Sequence, residues 1–409
     1  MVPKEKEAAI EVVHDRGEVV AAMEPLRLAE SSSERAALTD LALDLVAHSA
    51  AFANRLPPGV RASLADLVRS MNCYYSNLIE GHDTHPIDIE RALDGDYSSE
   101  PAKRQLQLEA RAHIEVQRWI DGGALAGRET TAAALADIHR RFGERLPPEL
   151  LWVQNPEKGE RVPVIPGALR TRDVRVGQHR AISPGAVPRF LARIEAVYTP
   201  LAKPELLLAS GAAHHRFLWI HPFLDGNGRV ARLMSHALLA RVLETGGIWS
   251  IARGLARRVV DYKMHLARCD EARRNDLDGR GALSEAALTD FTRFFLQICL
   301  DQVDFMAALV EPERLHARLR LWAEEEIQLD RLPAQTPQIL DALLYRGALP
   351  RGDIPALLGV GERQARRIVR QLLTVRVVSS ASPRAAITLA FPATLASRWL
   401  PGLFPDARG

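Results

Sequence analysis

The stretch His221-Pro-Phe223-Leu-Asp225-Gly226-Asn227-Gly228-Arg229-Val-Ala-Arg232 is the most informative part of this 409-residue chain. It combines an imidazole, a carboxylate, a glycine-containing turn and two arginines. Helical patterns over about 204–219 and 229–245 predict that the stretch is a loop joining two helices. Such a loop leaves backbone N–H groups unpaired at a helix start, which is a favourable place for an anion.

The predicted helix start is suited to a polyphosphate. The backbone N–H groups of Gly226, Asn227 and Gly228 form the expected anion nest, because glycine lets the backbone approach a phosphate closely. Arg229 and Arg232 are three residues apart and should project from one side of the first helical turn. Two guanidinium groups beside a nest suit several linked phosphates better than a single anion.

The remaining polar side chains of the stretch are of the types that bind a metal ion and transfer a proton. Asp225 is a hard oxygen ligand placed to hold Mg²⁺ on the phosphates. His221 is the candidate general base, because imidazole is the group that ordinarily titrates near neutral pH. Taken singly, a His-Pro pair, a GNG turn and an arginine face are ordinary structural features. Their combination favours an enzyme that acts on a nucleoside triphosphate.

The stretch resembles the motif of the Fic family, His-x-Phe-x-Asp/Glu-Gly-Asn-Gly-Arg-x-x-Arg, and matches it at every specified position. The resemblance implies transfer of AMP from ATP to a Ser, Thr or Tyr hydroxyl of a target protein. It implies that His221 deprotonates that hydroxyl, that Asp225 holds Mg²⁺ on the α- and β-phosphates, and that Arg232 holds the γ-phosphate. A Fic enzyme with another nucleotide donor is the alternative within the family.

A second motif, Ser76-Asn-Leu-Ile-Glu80-Gly81, lies far upstream. It resembles the family's inhibitory pattern, Ser/Thr-x-x-x-Glu-Gly/Asn, and the i, i+4 spacing places Ser76 and Glu80 on one helix face. The resemblance implies that Glu80 pairs with Arg232 and takes the place of the γ-phosphate, so that the enzyme is autoinhibited. A surface helix ending at a glycine cap explains the same residues without this role. Removal of AMP by the same site is left open.

The region 151–184 carries the only clear β pattern in the central part of the chain, with Val174-Arg175-Val176 alternating before Gly177. Together with Pro166–Arg170 this hairpin resembles the family's flap, which would hold a target segment along its edge. A surface hairpin without a ligand explains the pattern almost as well.

From about residue 311 the pattern changes to helix, short helix, a turn at Gly359-Val-Gly361, a third helix and two short strands. This order is typical of a winged helix-turn-helix module. The third helix carries four arginines on one face, which DNA phosphates or a partner protein would explain equally well: Arg363, Arg366, Arg367 and Arg370. A DNA-binding transcriptional regulator whose nucleotide site only senses is therefore the second hypothesis, although sensing alone needs no base.

These patterns predict a mainly α protein with three parts. Residues 1–100 form an N-terminal helical region carrying the inhibitory helix, residues 101–310 a Fic-type core with a small β-hairpin flap, and residues 311–409 the winged module. The target, the base preference and the oligomeric state are not determined by the sequence, and a homodimer is kept among the candidate partners.

The composition and charge of the chain are those of an ordinary globular protein. The content of 47% hydrophobic and 25% charged residues is that of a globular protein, and a net charge of +2 does not argue for general nucleic-acid or membrane binding. The charged N-terminus lacks a signal-peptide pattern, and no uncharged apolar run is long enough to span a bilayer. Cys73, Cys269 and Cys299 are far apart, which predicts buried free thiols and a cytoplasmic location.

Overall fold

The computed structural model describes residues 13–154 and 159–405. The N-terminal stretch on which the signal-peptide expectation depends lies outside the described residues, as do the outermost ends of the predicted 1–100 and 311–409 regions. Within the described residues the expected mainly α architecture is confirmed.

Helices make up most of the chain before the motif. They are α1 (Arg35–Ala53), α2 (Pro58–Ile79), α3 (Pro86–Leu93), α4 (Pro101–Asp121), α5 (Ala132–Gly143), α6 (Val187–Tyr198) and α7 (Lys203–Ile220). Between α5 and α6 lie two antiparallel hairpins, β1 (Trp152–Gln154) with β2 (Arg161–Pro163), and β3 (Arg175–Val176) with β4 (His179–Arg180). Short 3-10 turns occur at Val20–Met23, Pro148–Leu150 and Pro184–Ala186.

The motif leads into the second half of the helical core. Its helices are α8 (Asn227–Leu243), α9 (Ile251–Arg257), α10 (Val259–Cys269), α11 (Glu285–Leu309) and α12 (Pro312–Gln328). Helices α7 and α8 pack against each other, and α11 packs on α1, α7 and α9. The loop between α7 and α8 is therefore held between two helices of the main core.

Most of the predicted helices lie where the periodicity placed them, and the differences are local. The segment after α8 forms two helices, α9 and α10, rather than one, because Arg258 (φ −121°, ψ 38°) leaves the helical region between them. Helix α3 and the β1–β2 hairpin were not predicted. Both are too short to give a clear hydrophobic period.

Both ends of α2 are set by its local sequence. Pro58 occupies the first turn, where a missing N–H costs no hydrogen bond. At the other end Gly81 is left-handed (φ 88°), and the N–H groups of His82 and Gly81 donate to the carbonyls of Asn77 (2.9 Å) and Leu78 (3.1 Å). This is a Schellman motif, and it fixes where Glu80 leaves the helix.

The C-terminal region contains α13 (Thr336–Arg346), a 3-10 turn (Arg351–Asp353), α14 (Ile354–Leu358), α15 (Glu362–Thr374), β5 (Val378–Ser379), β6 (Thr388–Leu389), a 3-10 turn (Ala393–Leu395) and α16 (Ala396–Trp399). Strands β5 and β6 pair antiparallel. The element order agrees with the expected one, and the assignment as a winged helix stays a prediction.

This C-terminal region packs directly on α2 and α9. The hydroxyl of Tyr75 donates to the buried carbonyl of Leu403 (2.9 Å), and Arg253 donates to the carbonyl of Gly402 (2.8 Å). At the start of α2 a Cβ on Gly59 would overlap the carbonyl of Gly347, so the two backbones meet there. The buried core is continuous from α2 into the C-terminal region.

Two smaller expectations can be compared with the structure. Cys73, Cys269 and Cys299 are buried and free, as predicted. Among the described residues, α1 alone is long and apolar enough by length and composition to cross a membrane. A single helix of this kind is weak evidence, because helices in the core of a soluble protein pass the same test; α1 buries Leu38, Leu45 and Phe52.

The Tyr75–Leu403 hydrogen bond gives a stability prediction. Tyr75→Phe should destabilise the protein by about 1 kcal/mol, because the Leu403 carbonyl stays buried without its donor. The fall in Tm can be measured by scanning fluorimetry, with Tyr345→Phe as the control, since Tyr345 is 60% exposed. Equal Tm values for the two variants would contradict the expectation.

Candidate active site

His221 ends α7 in a left-handed backbone conformation (φ 51°, ψ 62°). That region is unfavourable for a residue with a Cβ, so the surrounding structure must hold it. Arg170 does so. Its Nε donates to the His221 carbonyl (2.7 Å), its terminal nitrogen to the Ile220 carbonyl (3.3 Å), and its backbone N–H to the Pro222 carbonyl (2.9 Å).

Arg170 is only 3% exposed, and backbone carbonyl groups accept the hydrogen bonds of its buried charge. Besides the carbonyls of Ile220 and His221, the guanidinium group donates to those of Arg172 (3.0 Å) and Ile182 (2.5 Å). Burial lowers the pKa of Arg170 to about 10, so the guanidinium stays protonated at neutral pH. The predicted flap segment thus holds the turn that carries His221, a role that the sequence did not reveal.

The imidazole of His221 has one nitrogen engaged and one available. Its Nδ1 lies 3.3 Å from the Leu218 carbonyl, and a carbonyl oxygen can only accept, so Nδ1 carries the proton. Burial lowers the pKa of His221 to about 4, and the ring is therefore neutral at pH 7. A neutral ring protonated on Nδ1 presents the lone pair of Nε2, as a general base requires.

The loop after His221 is closed by the Asn227 side chain. Its Oδ1 accepts from the Phe223 N–H (3.0 Å), and its Nδ2 donates to the Phe223 carbonyl (2.9 Å). Phe223 is fully buried and stacks on His139, with ring centroids 4.1 Å apart. The Asn227 amide thus shapes the loop, while its backbone N–H belongs to the helix start as predicted.

A carboxylate occupies the anion position at the start of α8. Gly226 is left-handed (φ 77°) and α8 begins at Asn227, so the first N–H groups of the helix lack intrahelical acceptors. A Cβ on Gly228 would overlap Oε1 of Glu80, which shows how closely this carboxylate lies against the backbone. Asp225, the predicted Mg²⁺ ligand, is exposed beside this position.

Arg232 is held by both residues of the upstream motif. Its Nε donates to the Ser76 hydroxyl (2.8 Å), and one terminal nitrogen donates to Oε1 of Glu80 (2.5 Å) and to the Ser76 carbonyl (3.2 Å). The Arg232 side chain is 2% exposed. Burial would raise the pKa of Glu80, but the charge and hydrogen bond of Arg232 hold it below its ordinary value. The structure therefore brings together Ser76, Glu80 and Arg232.

Arg229 has a different partner from the one that the sequence suggested. It donates to Oε2 of Glu109 in α4 (2.6 Å) and lies 5.0 Å from the centre of the Phe142 ring. His82, just after the upstream segment 76–81, also contacts Glu109 (3.2 Å). Glu109 was missed because an isolated acidic residue in an amphipathic helix carries no signal of its partner. A phosphate role for Arg229 stays a prediction.

The predicted flap hairpin lies next to the motif. Strands β3 and β4 pair Arg175 with Arg180 and Val176 with His179. The Nε2–H of His179 donates to the Trp219 carbonyl (2.7 Å) in the last turn of α7. This bond fixes the hairpin close to His221 and leaves Val176 exposed.

Residues 129–239 match the sequence model of the Fic/DOC family. The matched range contains the motif at 221–232 and the flap, but not the upstream segment 76–81.

Similar curated proteins are named protein adenylyltransferase Fic. The one from Nematostella vectensis is 27% identical over 173 residues, which are 41% of this chain and 36% of that protein. The one from Drosophila willistoni is 29% identical over 128 residues, which are 30% of this chain and 22% of that protein. The chain thus spans well under half the length of the curated relatives it matches.

Solved structures share the fold. A Fic domain containing signaling protein from Bacteroides thetaiotaomicron has a TM-score of 0.50 and 20% identity, covering 65% of this chain and 95% of that one. Fic-1 from C. elegans has a TM-score of 0.51 and 16% identity, covering 68% of this chain and 74% of that one. These likenesses concern the fold, and they confirm the expected Fic-type helical core.

The environment of His221 predicts its titration. In protein labelled with ¹³C on histidine Cε1, the His221 signal should stay at its neutral position from pH 8 down to about pH 5, because burial opposes the charged form. The signal can be assigned by its loss in His221→Asn. A midpoint near the ordinary histidine value of about 6.5 would contradict the proposed environment.

Proposed function

The chain is a Fic family protein, with its Fic domain at residues 129–239, and on this premise we propose that it is an autoinhibited protein adenylyltransferase. It moves AMP from ATP to a Ser, Thr or Tyr hydroxyl of a protein. The observation that carries the proposal is the position of the Glu80 carboxylate. It pairs with Arg232 and lies against Gly228, and both of these residues belong to the same motif as His221. An anion site blocked by the protein's own carboxylate is what an inhibited nucleotide site requires.

In the proposed reaction the hydroxyl oxygen of the target attacks the α-phosphorus. The bond between that phosphorus and the oxygen bridging to the β-phosphate breaks, and pyrophosphate leaves. The hydroxyl proton goes to Nε2 of His221, the nitrogen that the Leu218 contact leaves unprotonated. The low pKa of the enclosed ring keeps this nitrogen available at neutral pH.

The start of α8 is suited to the phosphates. The unpaired N–H groups of Asn227 and Gly228 and the positive end of the helix dipole favour phosphate oxygens. Mg²⁺ commonly binds one or two carboxylates and takes its other ligands from phosphates and water, so the single exposed carboxylate of Asp225 fits it. When bound, the ion would offset the negative charge of the phosphates.

Inhibition in this proposal is competition for one site. A γ-phosphate and the Glu80 carboxylate both need Arg232, which cannot pair fully with both. Ser76 strengthens the inhibited arrangement, because its hydroxyl and carbonyl hold the same guanidinium group. Removing AMP from a modified target is a further activity that the same site could support, and another nucleotide donor is the alternative within this chemistry.

A second function, DNA binding by the C-terminal region, is favoured by one observation. Arg363, Arg366, Arg367 and Arg370 are all exposed on α15. Arg366 pairs with Glu362 of the same helix (2.8 Å), and Ala365, Ile368 and Val369 form the buried face opposite the arginines. An exposed row of arginines on an otherwise anchored helix suits the phosphates of duplex DNA.

Glu80→Gly should raise the transfer of labelled AMP from ATP, to the protein itself or to targets in a lysate, by about tenfold or more. The physical reason is the loss of the carboxylate that competes for Arg232. Transfer can be measured with α-labelled ATP and confirmed by mass spectrometry of the AMP adduct, with each other nucleotide tested in parallel. Glu80→Gly/His221→Ala is the control, which should bind ATP without transferring AMP. If the Glu80→Gly protein transfers no more of any tested nucleotide than the wild type does, the proposal is wrong.

Arg363→Ala/Arg367→Ala should weaken binding of the full chain to duplex DNA and lower the slope of log K against log salt by about 2, one unit for each lost phosphate contact. Binding can be followed by fluorescence anisotropy at several salt concentrations. Arg258→Ala/Arg320→Ala, which removes two exposed arginines elsewhere, is the matched control. DNA binding that is absent, or equally reduced in the control, would argue against this surface.

A further inference from the structure

Glu109 of α4 links the chain that follows α2 to the first turn of α8. Its Oε2 accepts a hydrogen bond from a terminal nitrogen of Arg229 (2.6 Å) and lies 3.2 Å from Nδ1 of His82. These two nitrogens lie 3.4 Å from each other. The side chains of Glu109 and Arg229 are 13% and 10% exposed, whereas that of His82 is 40% exposed. One mostly buried carboxylate oxygen thus holds a group from each of two distant parts of the chain.

The chemistry of these three groups determines where the proton of His82 lies. A carboxylate can only accept and a guanidinium group can only donate, and the carboxylate is the nearer of the two to Nδ1, so the Nδ1 proton lies in the contact with Glu109. This hydrogen bond raises the pKa of His82 above its ordinary value, against the effects of burial and of Arg229. Burial would raise the pKa of Glu109, but His82 and Arg229 hold it below its ordinary value. The contact between His82 and Glu109 is therefore strongest when both groups are charged.

His82 is also fixed to the end of α2, through its backbone. Its N–H donates to the Asn77 carbonyl (2.9 Å). Glu80 is the C-terminal cap of this helix, and its side chain is 37% exposed although its partner Arg232 is only 2% exposed. Helix ends open more easily than the middle of a core helix, so Glu80 keeps its position best when the chain just beyond it is held. The bond from the His82 side chain to Glu109 provides such an anchor.

We propose that Glu109 is a positioning residue that holds His82 and thereby keeps the Glu80 carboxylate in the nucleotide site. The inference rests on the proposed function, because it concerns how strongly Glu80 competes with ATP. In this role Glu109 touches no phosphate and acts two residues along the chain from the competing carboxylate. When its contact with His82 is weakened, the nucleotide site is open in a larger fraction of the molecules. The apparent affinity for ATP rises in proportion to that fraction.

A different role for Glu109 would depend on Arg229 alone. The carboxylate would then withhold a guanidinium group from the phosphates, whatever the position of Glu80. The two roles differ in one measurable respect: anchoring has no effect once Glu80 is removed, because no carboxylate is left to be kept in the site, whereas release of Arg229 would still have its effect. The contact with His82, which the second role does not need, favours anchoring.

The experiment titrates a fluorescent ATP analogue into the full chain, in variants with and without Glu80→Gly. Glu109→Gln keeps the size of the side chain and one acceptor oxygen but loses the charge. It should lower the apparent Kd by about threefold to tenfold when Glu80 is present, and by less than about twofold in the Glu80→Gly background. His82→Gln removes the partner instead, and it should lower the apparent Kd by about threefold when Glu80 is present and leave it unchanged in the Glu80→Gly background.

Glu115→Gln is the matched control. Glu115 lies on the same helix and accepts from Arg111 (2.9 Å) and Arg145 (2.8 Å), neither of which belongs to the motif or to the upstream segment. This variant should bind the analogue as the wild type does, and Tm values recorded for every variant separate changes in affinity from unfolding. If Glu109→Gln does not fold, His82→Gln decides the question, because it leaves the buried pair of Glu109 and Arg229 intact.

The pH dependence provides a readout that a loss of packing would not change. The raised pKa of His82 means that its charge supports the anchored arrangement fully below the ordinary value of about 6.5, and that this support is lost as pH rises through the raised value. The charged groups that face His82 are Glu80 and Glu109, whose pKa values are lowered, and Arg229, which is a fixed charge.

The quantity to follow is the apparent Kd of the wild type divided by that of Glu80→Gly, since the titration of the nucleotide itself cancels in this ratio. Between pH 6 and pH 9 the ratio should fall by about threefold. The corresponding ratio for His82→Gln should stay constant over the same range, because glutamine does not titrate.

Three outcomes would overturn the inference. One is an equal gain in affinity from Glu109→Gln with and without Glu80→Gly, which would assign the effect to Arg229. Another is an affinity that neither Glu109→Gln nor His82→Gln raises, and the third is a pH dependence of the ratio that persists in His82→Gln. Failure of Glu80→Gly itself to bind the analogue more tightly than the wild type would refute the proposed function instead, and this comparison involves neither Glu109 nor His82.

Discussion

The ion pair between Glu80 and Arg232 is the interaction on which the arrangement of this molecule depends. It joins the end of α2 to the first turns of α8, two helices that are far apart in sequence. The carboxylate also lies over Gly228, where the unpaired N–H groups of a helix start favour a negative charge. One side chain thus satisfies a nearly buried cation and an anion-binding backbone together. Removing it leaves Arg232 with only its two Ser76 contacts and leaves the start of α8 uncovered, where a phosphate would be favoured.

The conformation of the loop that carries His221 is determined by tertiary contacts rather than by the local backbone preferences of its residues. A left-handed histidine is unfavourable by itself, and its neighbours must hold it in place. Arg170 holds the carbonyls on either side of the turn, and the Asn227 amide closes the loop around Phe223. These contacts satisfy buried or partly buried polar groups, so a small displacement of the loop would break several hydrogen bonds together.

Helix α2 connects the candidate site with the C-terminal region. Tyr75 and Ser76 are adjacent, yet the first hydrogen-bonds to Leu403 and the second to Arg232. At the start of the helix its backbone meets that of Gly347. Ser76 and Glu80 therefore do not lie on a separate arm. They lie on a core helix whose position is shared between the motif and the far end of the chain, which explains why the core is continuous across the boundaries expected from sequence.

The sequence by itself determined what depends on neighbours along the chain. The motif residues from His221 to Arg232, the spacing of Ser76 and Glu80, the glycine that ends α2 and most helix positions follow from local chemistry and periodicity. Only the tertiary structure decided which groups meet across the fold: Glu109 with Arg229, Arg170 with the His221 carbonyl, His139 with Gly167, and Tyr75 with Leu403, 328 residues away. A contact between groups far apart along the chain produces no periodic pattern and no local motif in the sequence, because packing in three dimensions determines which groups meet.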